Sequence, residues 1–175
     1  MTTLSELQHA SVLPAIVDLY TLDLTALGGG IFRLTATTKE NLGSVVYDSL
    51  TYTPFPIMID GVEHRVGDSA PPQPTITVSN INKLIQATVV SFGDMVGGKV
   101  TRQRVFRTNL DDGTDPDTTV YLPIEKYIIN QKKAHNRQII SFVLVSEMDL
   151  ETTKIPRRLI VKKDFPGVAK TRVLI

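Results

Sequence analysis

The chain predicts a mainly β fold of the α+β class, a β-barrel or sandwich-like domain with one principal helix near residues 80–96. Three observations carry that expectation. Short segments rich in β-branched and aromatic residues recur along the sequence, turn residues such as Gly28-Gly29-Gly30 and Asp60-Gly61 separate them, and one stretch repeats its apolar residues at helical spacing.

With 175 residues the chain fits one domain or two small ones. A domain of this size buries roughly 70% of the surface its unfolded chain exposes, so it needs no covalent staple. Apolar residues make up 42% and charged residues 21%, the balance of a folding globular chain. A formal net charge of +1 creates no global field toward nucleic acid or an anionic membrane. The absence of Cys excludes disulfides, thiolate nucleophiles and cysteine-ligated zinc or iron-sulfur clusters. No apolar stretch reaches the roughly 20 residues that cross a bilayer, and Met1 to Ala10 lacks the pattern of a signal peptide. A soluble product is expected.

Val12 to Leu24 is an apolar-rich strand ending at the three glycines. Ile31 to Thr37 and Val45 to Tyr47 continue a β-meander. Pro54 and Pro56 remove amide donors, so Tyr52 to Ile57 suits an edge or corner. Asp60-Gly61, between Ile57-Met58-Ile59 and Val62 to Val66, is a strong hairpin signal, and Thr75 to Val78 is another strand. The helix starts at a Ser79 or Asn80 cap and runs through Ile81, Leu84, Ile85, Val89, Phe92, Met95 and Val96, until Gly97-Gly98 stops it. Lys99 to Asn109 alternates as a strand, and Val120 to Asn130 pairs with Gln138 to Val145 around the turn Lys132 to Arg137. Apolar groups on both faces of Ile139 to Val145 predict a central, doubly covered strand. The expected domain spans residues 1–160, with a C-terminal arm over 161–175.

Few residues suggest chemistry. Gly93-Asp-Met-Val-Gly-Gly98-Lys99-Val100 has phosphate-loop spacing, but Val100 stands where Ser or Thr coordinates magnesium, and the helix precedes the glycines instead of following them. Asp111 to Asp117 has Pro116 and Leu122 where a calcium loop needs Gly and Glu, so a solvated hairpin tip is expected. His9, His64 and His135 lack partners at metal-ligand spacing, and no Ser lies in a nucleophile elbow. No enzyme activity, cofactor or metal is expected.

Two basic clusters remain: Lys99, Arg102, Arg104 and Arg107 on one strand, and Arg157, Arg158, Lys162 and Lys163 further on. Each is either a surface for an acidic partner or a solvated face. Nucleic acid fits less well, since no aromatic residues interleave Lys99 to Val105. Val168, Val173, Leu174 and Ile175 in the arm are candidate contacts to a neighbouring subunit or one more strand of the same sheet.

Several segments resemble the lambda-type phage minor tail protein L family in order and spacing. They are Asp18 to Gly29, Tyr52 to Ile57, Pro74 to Asn80, Val96 to Val105 and Ser141 to Leu144. The resemblance implies a tail-hub domain in a structural protein of the virion, made in the host cytoplasm and placed at the tail tip. It also implies a homotrimeric ring between a distal tail or tail-tube ring protein and the central host-recognition hub protein, alongside other tail-tip assembly proteins. No direct nucleic-acid contact, and no membrane contact before infection, is implied. Longer members carry a cysteine-bearing iron-sulfur segment, which this chain, without Cys, does not reproduce. A free-standing small β-barrel binding an acidic ligand is the alternative.

Overall fold

The computed structural model describes residues 14–36, 43–62, 73–80 and 84–146. Among them the strands are β1 (Ile16–Asp23), β2 (Ile31–Thr35), β3 (Val45–Tyr47), β4 (Leu50–Pro54), β5 (Ile57–Asp60), β6 (Thr75–Ser79), β7 (Lys99–Phe106), β8 (Glu125–His135) and β9 (Ile139–Val145). One α-helix, α1 (Leu84–Ser91), lies between β6 and β7, and short 3-10 turns cover Thr25–Leu27, Gly93–Met95 and Arg107–Asn109. The mainly β expectation with a single helix holds.

The strands form one sheet in the order β3-β4-β2-β1-β7-β8-β9-β6-β5. Neighbours are antiparallel except β2 and β4, which run parallel. The sheet curls until strands from opposite halves of that order share one interior. Leu34 of β2 and Ile57 of β5 both pack on a cluster that includes Tyr20, Ile76, Val100, Ile129, Ile140 and Phe142. Pro54, Phe55 and Pro56 make the closing corner: the Phe55 amide donates to the Thr35 carbonyl at 2.9 Å, and the Ser79 amide donates to the Pro56 carbonyl at 2.9 Å. The prolines suit this place because a corner offers no ladder partner for their missing N–H groups. Register shifts in the β8–β9 ladder leave Asn130 and Lys133 as extra residues, and such bulges sharpen the twist a curled sheet needs.

A second, smaller core lies on the opposite face of β1 and β7. There Val17, Leu19 and Val105 pack with Tyr47, Tyr52 and Leu110, so the β3–β4 hairpin and the chain after β7 cover the outside of the barrel wall. β9 is buried on both faces as expected, with Phe142 and Leu144 inward and Ser141 and Val145 on the other side.

Helix and strand ends differ from the sequence expectation in definite ways. α1 covers only Leu84–Ser91, after which the chain tightens into a 3-10 turn. Ile85, Val89, Phe92 and Met95 pack on the core, whereas Val96 is 44% exposed and leaves the apolar face. The break follows from Asp94 and Met95, whose φ values of 61° and 56° are incompatible with a continuing right-handed helix. Ile81 lies outside the described residues. β7 stops at Phe106 because Arg107–Asn109 turns away, and the strand expected from Val120 begins only at Glu125, the segment before it touching β7 through a lone Val105–Tyr121 bridge. β5 pairs with β6, and Gly61 turns with a φ of +80°; the other expected hairpin arm, from residue 63 on, lies outside the described residues. So does the expected boundary at residue 160.

Candidate interaction site

Cross-strand register assembles a charged cluster inside one end of the barrel. Arg102 of β7 faces Tyr20 of β1 and Glu125 of β8, while Arg104 faces Asp18. All of these share the face that carries Val100 into the core, since side chains two apart on a strand point the same way. The Arg102 guanidinium donates from Nη2 to Asp18 Oδ1 at 3.3 Å and from Nη1 to Glu125 Oε2 at 3.3 Å. Arg104 Nη2 donates to Glu125 Oε1 at 3.2 Å. Glu125 therefore binds one arginine with each oxygen.

Two guanidinium and two carboxylate charges cancel here. Side-chain exposures of 14% for Arg102 and 17% for Glu125 show that the pair is largely removed from water, where hydrogen-bonded pairing is what makes burial tolerable. Burial works against the Arg102 charge, yet the carboxylates of Asp18 and Glu125 outweigh it and hold its pKa above the ordinary arginine value. Burial, aided by the Asp18 charge, pushes the Tyr20 phenol up to about 12, and burial together with Glu125 raises that of Tyr127.

The sequence grouped four cations on β7, and the structure separates them. Arg102 and Arg104 turn inward to the neutral cluster. Lys99 points to the outer face and is exposed. Arg107, also exposed, starts the 3-10 turn after β7, where its amide donates to the Ala15 carbonyl at 2.8 Å. Arg107 also lines an open recess of about 510 Å³ with Pro14, Val45, Thr108 and Asp112. Arg157, Arg158, Val168, Val173, Leu174 and Ile175 lie outside the described residues. Sequence reasoning missed Asp18, Glu125, Arg33 and Lys126, because only pairing between strands distant in sequence brings them beside the β7 cations.

The glycine segment resembling a phosphate loop has its amides engaged internally. Gly97 N–H donates to the Ile129 carbonyl at 2.8 Å and Gly98 N–H to the Met95 carbonyl at 3.0 Å. Gly98 is needed for packing: a Cβ there would stand 2.6 Å from Leu24 Cδ2.

The acidic segment is an ordered loop and not merely a solvated tip. Asp111 accepts the Asp48 amide at 3.0 Å and the Ser49 amide at 2.9 Å, clamping the turn of the β3–β4 hairpin. Asp117 is buried and accepts from Thr119 N–H at 2.8 Å and Thr119 Oγ at 2.6 Å, bonds that hold its pKa below the usual carboxylate value. Among the described residues no group of three or more His, Asp or Glu side chains is arranged to hold a metal ion.

Comparison with known proteins agrees with the resemblance read from the segments above. Tail tip protein L of Escherichia phage lambda is 28% identical over 167 residues, covering 91% of this chain and 70% of that protein. The sequence model of the family described as phage minor tail protein L matches residues 25–169, through α1 and every strand from β2 to β9. The chain belongs to the phage minor tail protein L family.

Proposed function

We infer that the protein is a structural component of a bacteriophage tail tip, three copies forming a ring between the distal tail-tube ring protein and the central host-recognition hub protein. The observation that carries this reading is the family match through residues 25–169. A structural role in a phage tail follows from that membership. The geometry supports a scaffold rather than a catalyst: the largely buried Arg102 binds Glu125 of β8 and Asp18 of β1, so these ion pairs tie three strands together and stiffen the barrel wall. In this reading the arm over 161–175 contacts a neighbouring tail-tip protein through Val168, Val173, Leu174 and Ile175.

Cryo-electron microscopy of intact tails tests the arrangement. The expected result is three copies of this fold around the tail axis, directly below the last tube ring. Another symmetry, or absence of its peptides from purified virions by mass spectrometry, would overturn it.

A further inference from the structure

The outer face of the barrel carries a second charged surface that the inward cluster does not use. Register places two rows of side chains across β2, β1, β7 and β8. One row runs Arg33, Thr21, Thr101, Lys126, and the next runs Ile31, Asp23, Lys99, Ile128. Together they line an open groove of about 300 Å³. Three cations face one carboxylate there, and that carboxylate, Asp23, already accepts from Thr25 N–H at 2.9 Å and Thr25 Oγ at 2.6 Å. Among the described residues Arg33, Lys99 and Lys126 have no ion pair.

The same chain supplies the complementary charge at the right place. β9 ends at Val145, which pairs with Ile128 on the rim of this groove. Two residues later comes Glu147-Met148-Asp149-Leu150-Glu151, with acids at every second position. In an extended chain alternate side chains point to one side, so three carboxylates present themselves together. Crossing from β8 to β2 spans three strand spacings, about 14 Å. Five extended residues reach about 17 Å, enough to cross it.

We propose that the acidic segment Glu147 to Glu151 docks across the groove of its own chain, its carboxylates on Lys126, Lys99 and Arg33. This does not depend on the ring. It makes the segment a strap over the outer wall of the barrel, held by charge and therefore weakened by salt.

Digestion of the full-length chain with glutamyl endopeptidase tests the strap, because the protease cuts after Glu151 only when that segment is free. Lys99→Glu with Lys126→Glu is expected to accelerate this cut about tenfold, the effect of losing two or three partly screened ion pairs. Adding Glu147→Lys and Asp149→Lys to that variant is expected to restore slow cutting. Equal rates in the original chain and the double variant would overturn the proposal. A second measurement stands even if charge reversal harms folding: since the chain has no Cys, Lys99→Cys with Asp149→Cys creates a single possible disulfide within one chain. Oxidation is expected to give a cross-linked monomer. A cross-linked dimer, which assigns the segment to a second copy, or no cross-link at all, would overturn the proposal.

Discussion

Asp48 and Ser49 turn the β3–β4 hairpin with φ values of 53° and 59°, a left-handed geometry that glycine adopts freely for want of a Cβ and that disfavours other residues, Asn and Asp least. Asp111 compensates by accepting both amides. Its replacement by Ala should cost about 1 to 2 kcal/mol, the range for charge-assisted bonds at an exposed site, while Ser49→Gly should gain about 0.5 to 1 kcal/mol by relieving the backbone. Urea unfolding of both variants checks this, and a neutral Asp111→Ala would mean that the turn holds itself. Glu125→Gln should cost about 2 to 3 kcal/mol, since it leaves Arg104 without its carboxylate and weakens the hold on Arg102. The pH dependence follows from Tyr20. Its folded pKa of about 12 lies above the value near 10 of an unfolded tyrosine, so the stability it contributes is complete below pH 10 and is lost as pH rises toward 12. Stability measured across that window should fall less steeply in Tyr20→Phe than in the original chain. At this scale the site was half legible. Alternation put Arg102 and Arg104 on one face, but their partners Asp18 and Glu125 stand 84 and 23 residues from Arg102, beyond the reach of any local pattern.

Elements tell a more even story. Phe142 on β9 is 1% exposed, and Phe142→Ala should destabilise the fold by about 3 to 5 kcal/mol. Phe92 is only partly buried beyond the end of α1, so Phe92→Ala should cost about half as much, a lower value than its sequence pattern alone implies. Gly98→Ala should cost about 1 to 3 kcal/mol because the added methyl meets Leu24 in a filled space. Chemical denaturation ranks the three, and an order with Phe92→Ala above Phe142→Ala would mean that α1 packs differently from the structure described. β1, β2, β3 and β9 were readable because runs rich in apolar, β-branched and aromatic residues are bounded there by turn or polar segments. The helix was readable in position but too long by several residues, since Met95 continues the apolar spacing while its backbone has already turned left-handed. β8 starts later than its pattern suggested, and it runs further because pairing with β9 holds Lys132 to His135, polar except for Ala134, in the sheet.

For the whole molecule, the arm gives the sharpest test of assembly. Deleting Val168 to Ile175 should leave the melting temperature nearly unchanged yet block incorporation into tails; normal tails, or a truncated chain that unfolds alone, would remove the partner role of the arm. The β1–β7 ladder carries another consequence, one of timing. Asp18 meets Arg102 across 84 residues of sequence, so during synthesis at about 5 to 20 residues per second β1 waits roughly 4 to 17 s before its partner strand leaves the ribosome. Through that interval β2 and then the β3–β4 hairpin can shield it, but Val105, against which Val17 and Leu19 later rest, is still missing. A nascent chain in that state is exposed to chaperones and to its siblings on the same polysome. Slower, cooler expression should therefore raise the yield of soluble protein by shifting the competition from aggregation, which depends on concentration, toward late pairing within one chain.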